Sequence, residues 1–281
     1  MKILFFGTPD YVLPVLKELH KKYNTHISRE LVGVVTQEPK RAGRNWRLQR
    51  SAVYDWAEKH KLDIYTNLAD IPQADLGVLA AYGKIIPEEI IKKFTHGIVN
   101  IHPSLLPKYR GASPIYNAIK NADTETGVTL IKLDDEMDHG PIISSFGEDI
   151  LQTDTTESLR SRLFEKSADF LINLLPSYLS GKITLKEQDH TSATFTNLLK
   201  KSDGFISLKR LKSGDPKKIH CLIRASHPWP GAWTTLPNSK RLKILEAHLE
   251  DGKLVLDLVQ LEGKNPVSYR QFKETYSDLL E

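Results

Sequence analysis

Asn100, His102 and Asp138 are the residues whose types and spacing best suit chemistry. Asn100 and His102 alternate with Val99 and Ile101 at the end of an apolar run, and period-two spacing puts both polar side chains on one face of a strand. An amide and an imidazole side by side can both donate to one oxygen, which suits the negative oxygen that forms at an attacked carbonyl. The same two residues also fit a core histidine and a loop-bracing asparagine. The stretch Leu133-Asp134-Asp135-Glu136-Met137-Asp138-His139-Gly140-Pro141 is acidic, but its spacing does not match a calcium hand. A solvated turn accounts for most of these carboxylates. Asp138 is the exception, placed just before a tight Gly140-Pro141 turn from which it can be aimed at His102.

A second constellation is basic. Glu38-Pro39-Lys40-Arg41-Ala42-Gly43-Arg44-Asn45-Trp46-Arg47-Leu48-Gln49-Arg50 carries five basic residues, one acid and an indole. Basic side chains grip phosphates, and an indole or guanidinium stacks on bases; a solvated loop is the alternative. The net charge is +4, and the last 81 residues, from 201 on, hold 14 Lys/Arg against 10 Asp/Glu. That asymmetry fits a polyanionic partner or a plain basic surface.

These residues need a scaffold. Apolar runs at Lys2–Phe6, Leu31–Thr36, Asp75–Ala80 and Gly97–Ile101 alternate with helical patterns at Tyr11–Lys22, Ser51–His60 and after Pro87. Alternation of this kind predicts an α/β fold with a parallel-rich sheet, whose ligands bind beyond the carboxyl ends of the strands. A helix near Ile115–Lys120, strands at Gly127–Leu133 and Ile142–Glu148, and a long helix over Thr155–Leu179 complete a first domain, residues 1–180. Residues 181–202 lack periodicity and read as a linker. Residues 203–281 read as a smaller β-rich domain. It has a helix over Pro216–Arg224 capped by Asp215 or Ser213, three strands (Trp233–Leu236, Leu242–Ala247, Leu254–Leu261) and a last helix from Ser268.

Composition narrows the function classes. With 281 residues, 40% hydrophobic and 26% charged, the chain reads as an ordinary soluble two-domain protein with no apolar run of bilayer length. The short opening run Met1–Phe6 reads as a first strand rather than a signal peptide. A single cysteine, Cys221, excludes an internal disulfide framework and a cysteine-based zinc site, so the cytoplasm is expected and no metal is. Gly7-Thr8-Pro9-Asp10 lacks the glycine fingerprint of a nicotinamide enzyme.

Asn100-x-His102 with Ser104-Leu105-Leu106-Pro107-x-Tyr109-Arg110-Gly111, followed by Met137-Asp138-x-Gly140, resembles the folate-dependent formyltransferase family. Several further segments resemble its branch that acts on methionyl-tRNA: Gly7–Asp10, Ala81-Tyr82-Gly83-Lys84-Ile85-Ile86-Pro87, Gly127-Val128-Thr129, Ile223–Thr234 with its proline–tryptophan run, and Val259–Lys264. The resemblance spans nearly the whole chain. It implies a Rossmann-like catalytic domain with an OB-like C-terminal barrel, and Asn100, His102 and Asp138 as the catalytic trio. It implies 10-formyltetrahydrofolate as donor, held by Ser104, Leu105, Leu106 and Pro107 with Tyr82, Gly83 and Ile85. It implies initiator methionyl-tRNA as acceptor, met by Lys40, Arg41, Arg44, Trp46 and Arg47, and a monomer with no membrane association. One departure is that the interval between Arg241–Leu245 and Gln260–Gly263 holds only about two strands, which predicts a smaller or partly open barrel. A formyltransferase acting on a nucleotide-linked amino sugar shares the trio and is the alternative, and a non-catalytic RNA-binding protein is a second.

Overall fold

A computed structural model describes residues 1–25, 28–42 and 47–276. Along the chain lie β1 (Ile3–Gly7), α1 (Leu13–Tyr23), β2 (Leu31–Val35), β3 (Lys40–Ala42), β4 (Arg47–Gln49), α2 (Ala52–Lys59), β5 (Asp63–Tyr65), β6 (Leu76–Ala80), α3 (Glu88–Ile91), β7 (Ile98–His102) and the two-residue β8 (Arg110–Gly111). They continue as α4 (Pro114–Lys120), β9 (Glu125–Lys132), β10 (Ile142–Asp149), α5 (Thr156–Leu179), β11 (Phe195–Thr196), α6 (Leu208–Ser213), α7 (Pro216–Ala225), β12 (Ala232–Thr235), β13 (Arg241–Glu250), β14 (Lys253–Leu261), β15 (Val267–Ser268) and α8 (Tyr269–Thr275).

The chain packs as two compact units. The first holds Met1–Arg110, Gly127–Glu148 and Arg160–Thr194; the second holds Gly111–Thr126, Asp149–Leu159 and the residues from Phe195 onward. The first is built on a seven-stranded sheet of order β10-β9-β7-β6-β1-β2-β5. Strands β5, β2, β1, β6 and β7 run parallel, and β9 runs antiparallel to β7. All of β1 is buried, as expected of a central strand covered on both faces. Helix α1 buries Val15, Leu16 and Leu19, and Ser51 caps α2 by accepting from the Tyr54 amide at 3.0 Å. Because β2, β1, β6 and β7 are parallel, the loops after Val35, Gly7, Ala80 and His102 leave the same edge of the sheet. The sequence predicts most of these elements within a residue or two. It misses the edge strand β5 and takes the β3–β4 hairpin for a polar loop.

In the second unit, β12, β13, β14 and β15 form an antiparallel sheet in that order, with β12 and β15 at its edges among the described residues. This is the small β-rich domain expected, with an open sheet in place of a closed barrel among the described residues. Asp251 (φ 49) and Gly252 (φ 76) make the tight turn between β13 and β14, where two left-handed residues suit the strand twist. Leu236, Leu242, Val259, Leu261 and Phe272 form its core. Asp215, not Ser213, caps α7 through the Lys217 and Lys218 amides. No described helix is long and apolar enough to cross a membrane.

Candidate active site

Asn100 and His102 are the last polar residues of β7, and both are buried. Asp138 reaches them from the loop between β9 and β10. Asn100 Nδ2 donates to Asp138 Oδ1 at 3.1 Å, and His102 Nδ1 lies 3.4 Å from Asp138 Oδ2. The amide and the ring therefore converge on one carboxylate, whose side chain is 13% exposed against 5% for the histidine. The other ring nitrogen, His102 Nε2, faces the Tyr109 carbonyl at 2.9 Å. Each ring nitrogen therefore faces an acceptor.

The loop after β7 is braced from within. Thr129 Oγ1 accepts from the Leu106 amide at 3.0 Å and donates to the Ser104 carbonyl at 2.7 Å. Ser104 Oγ donates to the Lys108 carbonyl at 2.6 Å, so this buried side chain points into its own loop. Leu106 is buried, the Leu106–Pro107 bond is cis, and Leu105 packs against Gly127. The structure thus brings Ser104–Pro107 beside the trio, with Ser104 as a brace.

The neighbouring loop after β6 turns through two left-handed residues, Ala81 (φ 46) and Gly83 (φ 80). The Tyr82 carbonyl between them accepts from Thr8 Oγ1 at 2.8 Å and Gln37 Nε2 at 3.0 Å. A side chain at Gly83 would meet Gln37 Nε2 at 2.6 Å. The Tyr82 ring lies in the core edge-on to Phe6, its centroid 5.8 Å away, and burial followed by the charge of Glu38 pushes its phenol pKa up. Ile85, by contrast, is 78% exposed. Of the three residues expected here, Gly83 and Ile85 are exposed and Tyr82 supplies its backbone.

Lys40, Arg41 and Arg47 sit on the β3–β4 hairpin, register Lys40↔Gln49 to Ala42↔Arg47, and are exposed. Lys40 Nζ donates to Gln37 Oε1 at 3.0 Å. Arg44 and Trp46 lie outside the described residues.

Sequence reasoning missed the residues that tie these loops together. Gln188, from the stretch read as a linker, is 5% exposed and bonds the backbone of the Asp138 loop as well as the buried Arg110. His190 Nδ1 accepts from Arg110 Nη2 at 2.8 Å, and its ring stacks on His139 with centroids 4.0 Å apart. Among the described residues, no group of three or more His, Cys, Asp or Glu is placed to hold a metal ion.

A parallel-rich sheet with an amide, an imidazole and a carboxylate at its carboxyl edge fits what known proteins show. Residues 1–175 match the family model described as formyl transferase, and residues 198–255 match that of the formyl transferase C-terminal domain. The class is therefore that of the formyl transferases, with the family's second domain. A methionyl-tRNA formyltransferase of Roseiflexus castenholzii is 36% identical, covering 95% of this chain and 93% of the relative. The chain belongs to the methionyl-tRNA formyltransferase family. Among solved structures, a methionyl-tRNA formyltransferase from Clostridium thermocellum superposes with a TM-score of 0.65 at 21% identity over 93% of this chain and 98% of that one. A sugar 3N-formyl transferase, solved in the presence of dTDP and 5-N-formyl-THF, gives 0.71 at 20% identity over 94% of this chain and 99% of that one. Both share the fold.

Proposed function

We propose that this chain transfers the formyl group of 10-formyltetrahydrofolate to the amino group of methionyl initiator tRNA, with Asn100, His102 and Asp138 as its catalytic residues. The observation that carries the reading is the convergence of Asn100 Nδ2 and His102 Nδ1 on one carboxylate, at 3.1 and 3.4 Å. Two donors that converge on one anionic group, one at each of its oxygens, also suit a formyl oxygen on which negative charge builds. Asn100 Nδ2 carries a second N–H for that oxygen, and the long His102–Asp138 contact leaves the ring's Nδ1–H shareable. Asp138 orients the ring and, with its partial exposure, accepts the amine proton through water.

The donor, when bound, supplies an activated formyl carbon. The residues beside the trio fit a flat ring. Leu105, Leu106, Ile85 and Met137 offer apolar surface, and Ile85 and Met137 are 78% and 58% exposed with no core of their own to fill. Backbone groups of the Ala81–Gly83 turn, held by Gln37 and Thr8, orient it. The basic hairpin, with Lys40, Arg41 and Arg47 (and Arg44 and Trp46 from its sequence), meets the acceptor's phosphates. The relatives' shared name supports the tRNA as acceptor, and the reading includes a cytoplasmic monomer.

The test offers purified protein 10-formyltetrahydrofolate with charged initiator tRNA or with nucleotide-linked amino sugars. Formylation of the tRNA alone is expected. Formylation of the amino sugar without the tRNA would replace this reading with the alternative.

A further inference from the structure

Two left-handed turns clamp His102. Tyr109 (φ 61) presents its carbonyl to Nε2 at 2.9 Å, and Asp138 (φ 50) presents its carboxylate to Nδ1 at 3.4 Å. Neither residue is glycine, and such a conformation costs roughly 1–2 kcal/mol at each unless the surroundings over-determine it. The turns come from loops about 30 residues apart in the chain, so something outside both must set their spacing.

Gln188 touches both. Its Nε2 donates to the carbonyls of Asp138, His139 and Gly140 at 2.9, 2.9 and 2.8 Å. Its Oε1 accepts from Arg110 Nε and Nη2 at 3.1 and 2.7 Å. The amide has one workable orientation, because a flip would set its oxygen against three carbonyls and its nitrogen against a guanidinium. Arg110 directly follows Tyr109, and the stretch carrying Gln188 is anchored at both ends. Lys186 pairs with Ile142 through backbone bonds of 2.8 and 2.9 Å. Thr194 accepts from the Tyr109 amide through Oγ1 and from the Arg110 amide through its carbonyl, both at 2.8 Å.

We propose that Gln188 is a positioning residue for formyl transfer: its buried amide spans the Asp138 loop and Arg110, fixing the carboxylate and the Tyr109 carbonyl on opposite sides of the His102 ring. The inference rests on the function proposed above. Gln188 acts on the reaction through Asp138 and His102 and touches neither donor nor acceptor.

The test compares kcat, the two KM values and melting temperature for the wild type, Gln188→Glu, Gln188→Met, Arg110→Lys, Asp138→Asn and Gln188→Glu combined with Asp138→Asn. Gln188→Glu keeps the Arg110 contact but faces three carbonyls with an acceptor. A misplacement near 1 Å typically costs about 100-fold. The expected result is a kcat fall of that order for Gln188→Glu and Gln188→Met, with both KM values within about twofold. The double variant should be no slower than Asp138→Asn alone, since residues acting as one unit are not additive. A merely structural glutamine would instead multiply the two losses or raise both KM values, and either result overturns the proposal. So does a folded Gln188→Glu protein with kcat near wild type. If neither Gln188 variant folds, Arg110→Lys carries the test, and its kcat matching wild type is equally fatal. A wild type that formylates no methionyl-tRNA defeats the functional reading itself, a result distinct from active wild type with indifferent variants.

Discussion

Asp138→Asn isolates the charge from the shape. The amide keeps an oxygen for Asn100 Nδ2, now at 3.1 Å from Asp138 Oδ1, and turns its NH2 toward His102 Nδ1. The neutral ring with its proton on Nε2 still donates to the Tyr109 carbonyl, so every hydrogen bond survives with reversed polarity at one of them. What is lost is the negative charge 3.4 Å from the ring, which stabilises positive charge that develops there during transfer by at most about 5 kcal/mol at an effective dielectric constant of 20. The variant also loses a proton acceptor, a role typically worth about 100- to 10,000-fold. The expected outcome is a kcat down by about 1,000-fold, donor KM within about threefold, and a melting temperature within about 4 °C of wild type. Steady-state transfer of labelled formyl and a thermal melt measure all three. A kcat within tenfold of wild type, or a loss confined to KM, would refute the role of the charge.

Three further outcomes follow from the geometry. Gly127→Ala places a Cβ 2.1 Å from the Phe146 carbonyl and 2.6 Å from Leu105 Cδ2. It should cost about 1–3 kcal/mol in a denaturant melt and raise donor KM by displacing Leu105, whereas unchanged stability would be at odds with the packing. Burial raises the Glu148 pKa, but hydrogen bonds from Lys166 and Arg162 outweigh it, so the folded value lies below the ordinary 4.5. Its stabilisation is therefore present above that pH and lost as pH falls through the folded value. Glu148→Gln should lower the melting temperature at pH 7 and flatten its fall below about pH 4.5, and parallel acid profiles would contradict the pairing. Replacing Lys40 and Arg41 with Ala should weaken tRNA binding and reduce the slope of log K against log salt by about 0.7–0.9 for each lost phosphate contact, while leaving donor binding intact. An unchanged slope in filter binding would remove the hairpin from the interface.

The trio was legible because a strand's period of two is rigid. Once Val99 and Ile101 are buried in the sheet, Asn100 and His102 must share its other face, at the edge where parallel sheets bind ligands. Asp138 was legible from the forced turn at Gly140, where a Cβ would come within 1.9 Å of the Lys132 carbonyl. Gln188 was not, because three of its partners are backbone carbonyls 48 to 50 residues away, which leave no trace in side-chain pattern, and its side-chain partner Arg110 lies 78 residues away. The hairpin of β3 and β4 was hidden for a related reason. Its short strands pair through the backbone, and their largely basic sequence has no alternation of apolar residues to signal it. The motif around Tyr82 pointed at the pocket, yet the ring packs on Phe6 and Phe94's cluster while the backbone makes the turn, a division that residue identity does not reveal.

The central claim is that an amide and an imidazole, focused by one carboxylate, carry the transfer. It is tested most directly by a single turnover of protein preloaded with labelled 10-formyltetrahydrofolate and mixed with methionyl initiator tRNA, for wild type and His102→Ala. Wild type should place label on the methionine amine rapidly. His102→Ala should do so about 100- to 1,000-fold more slowly, at unchanged donor affinity. Equal rates for the two proteins would contradict the claim.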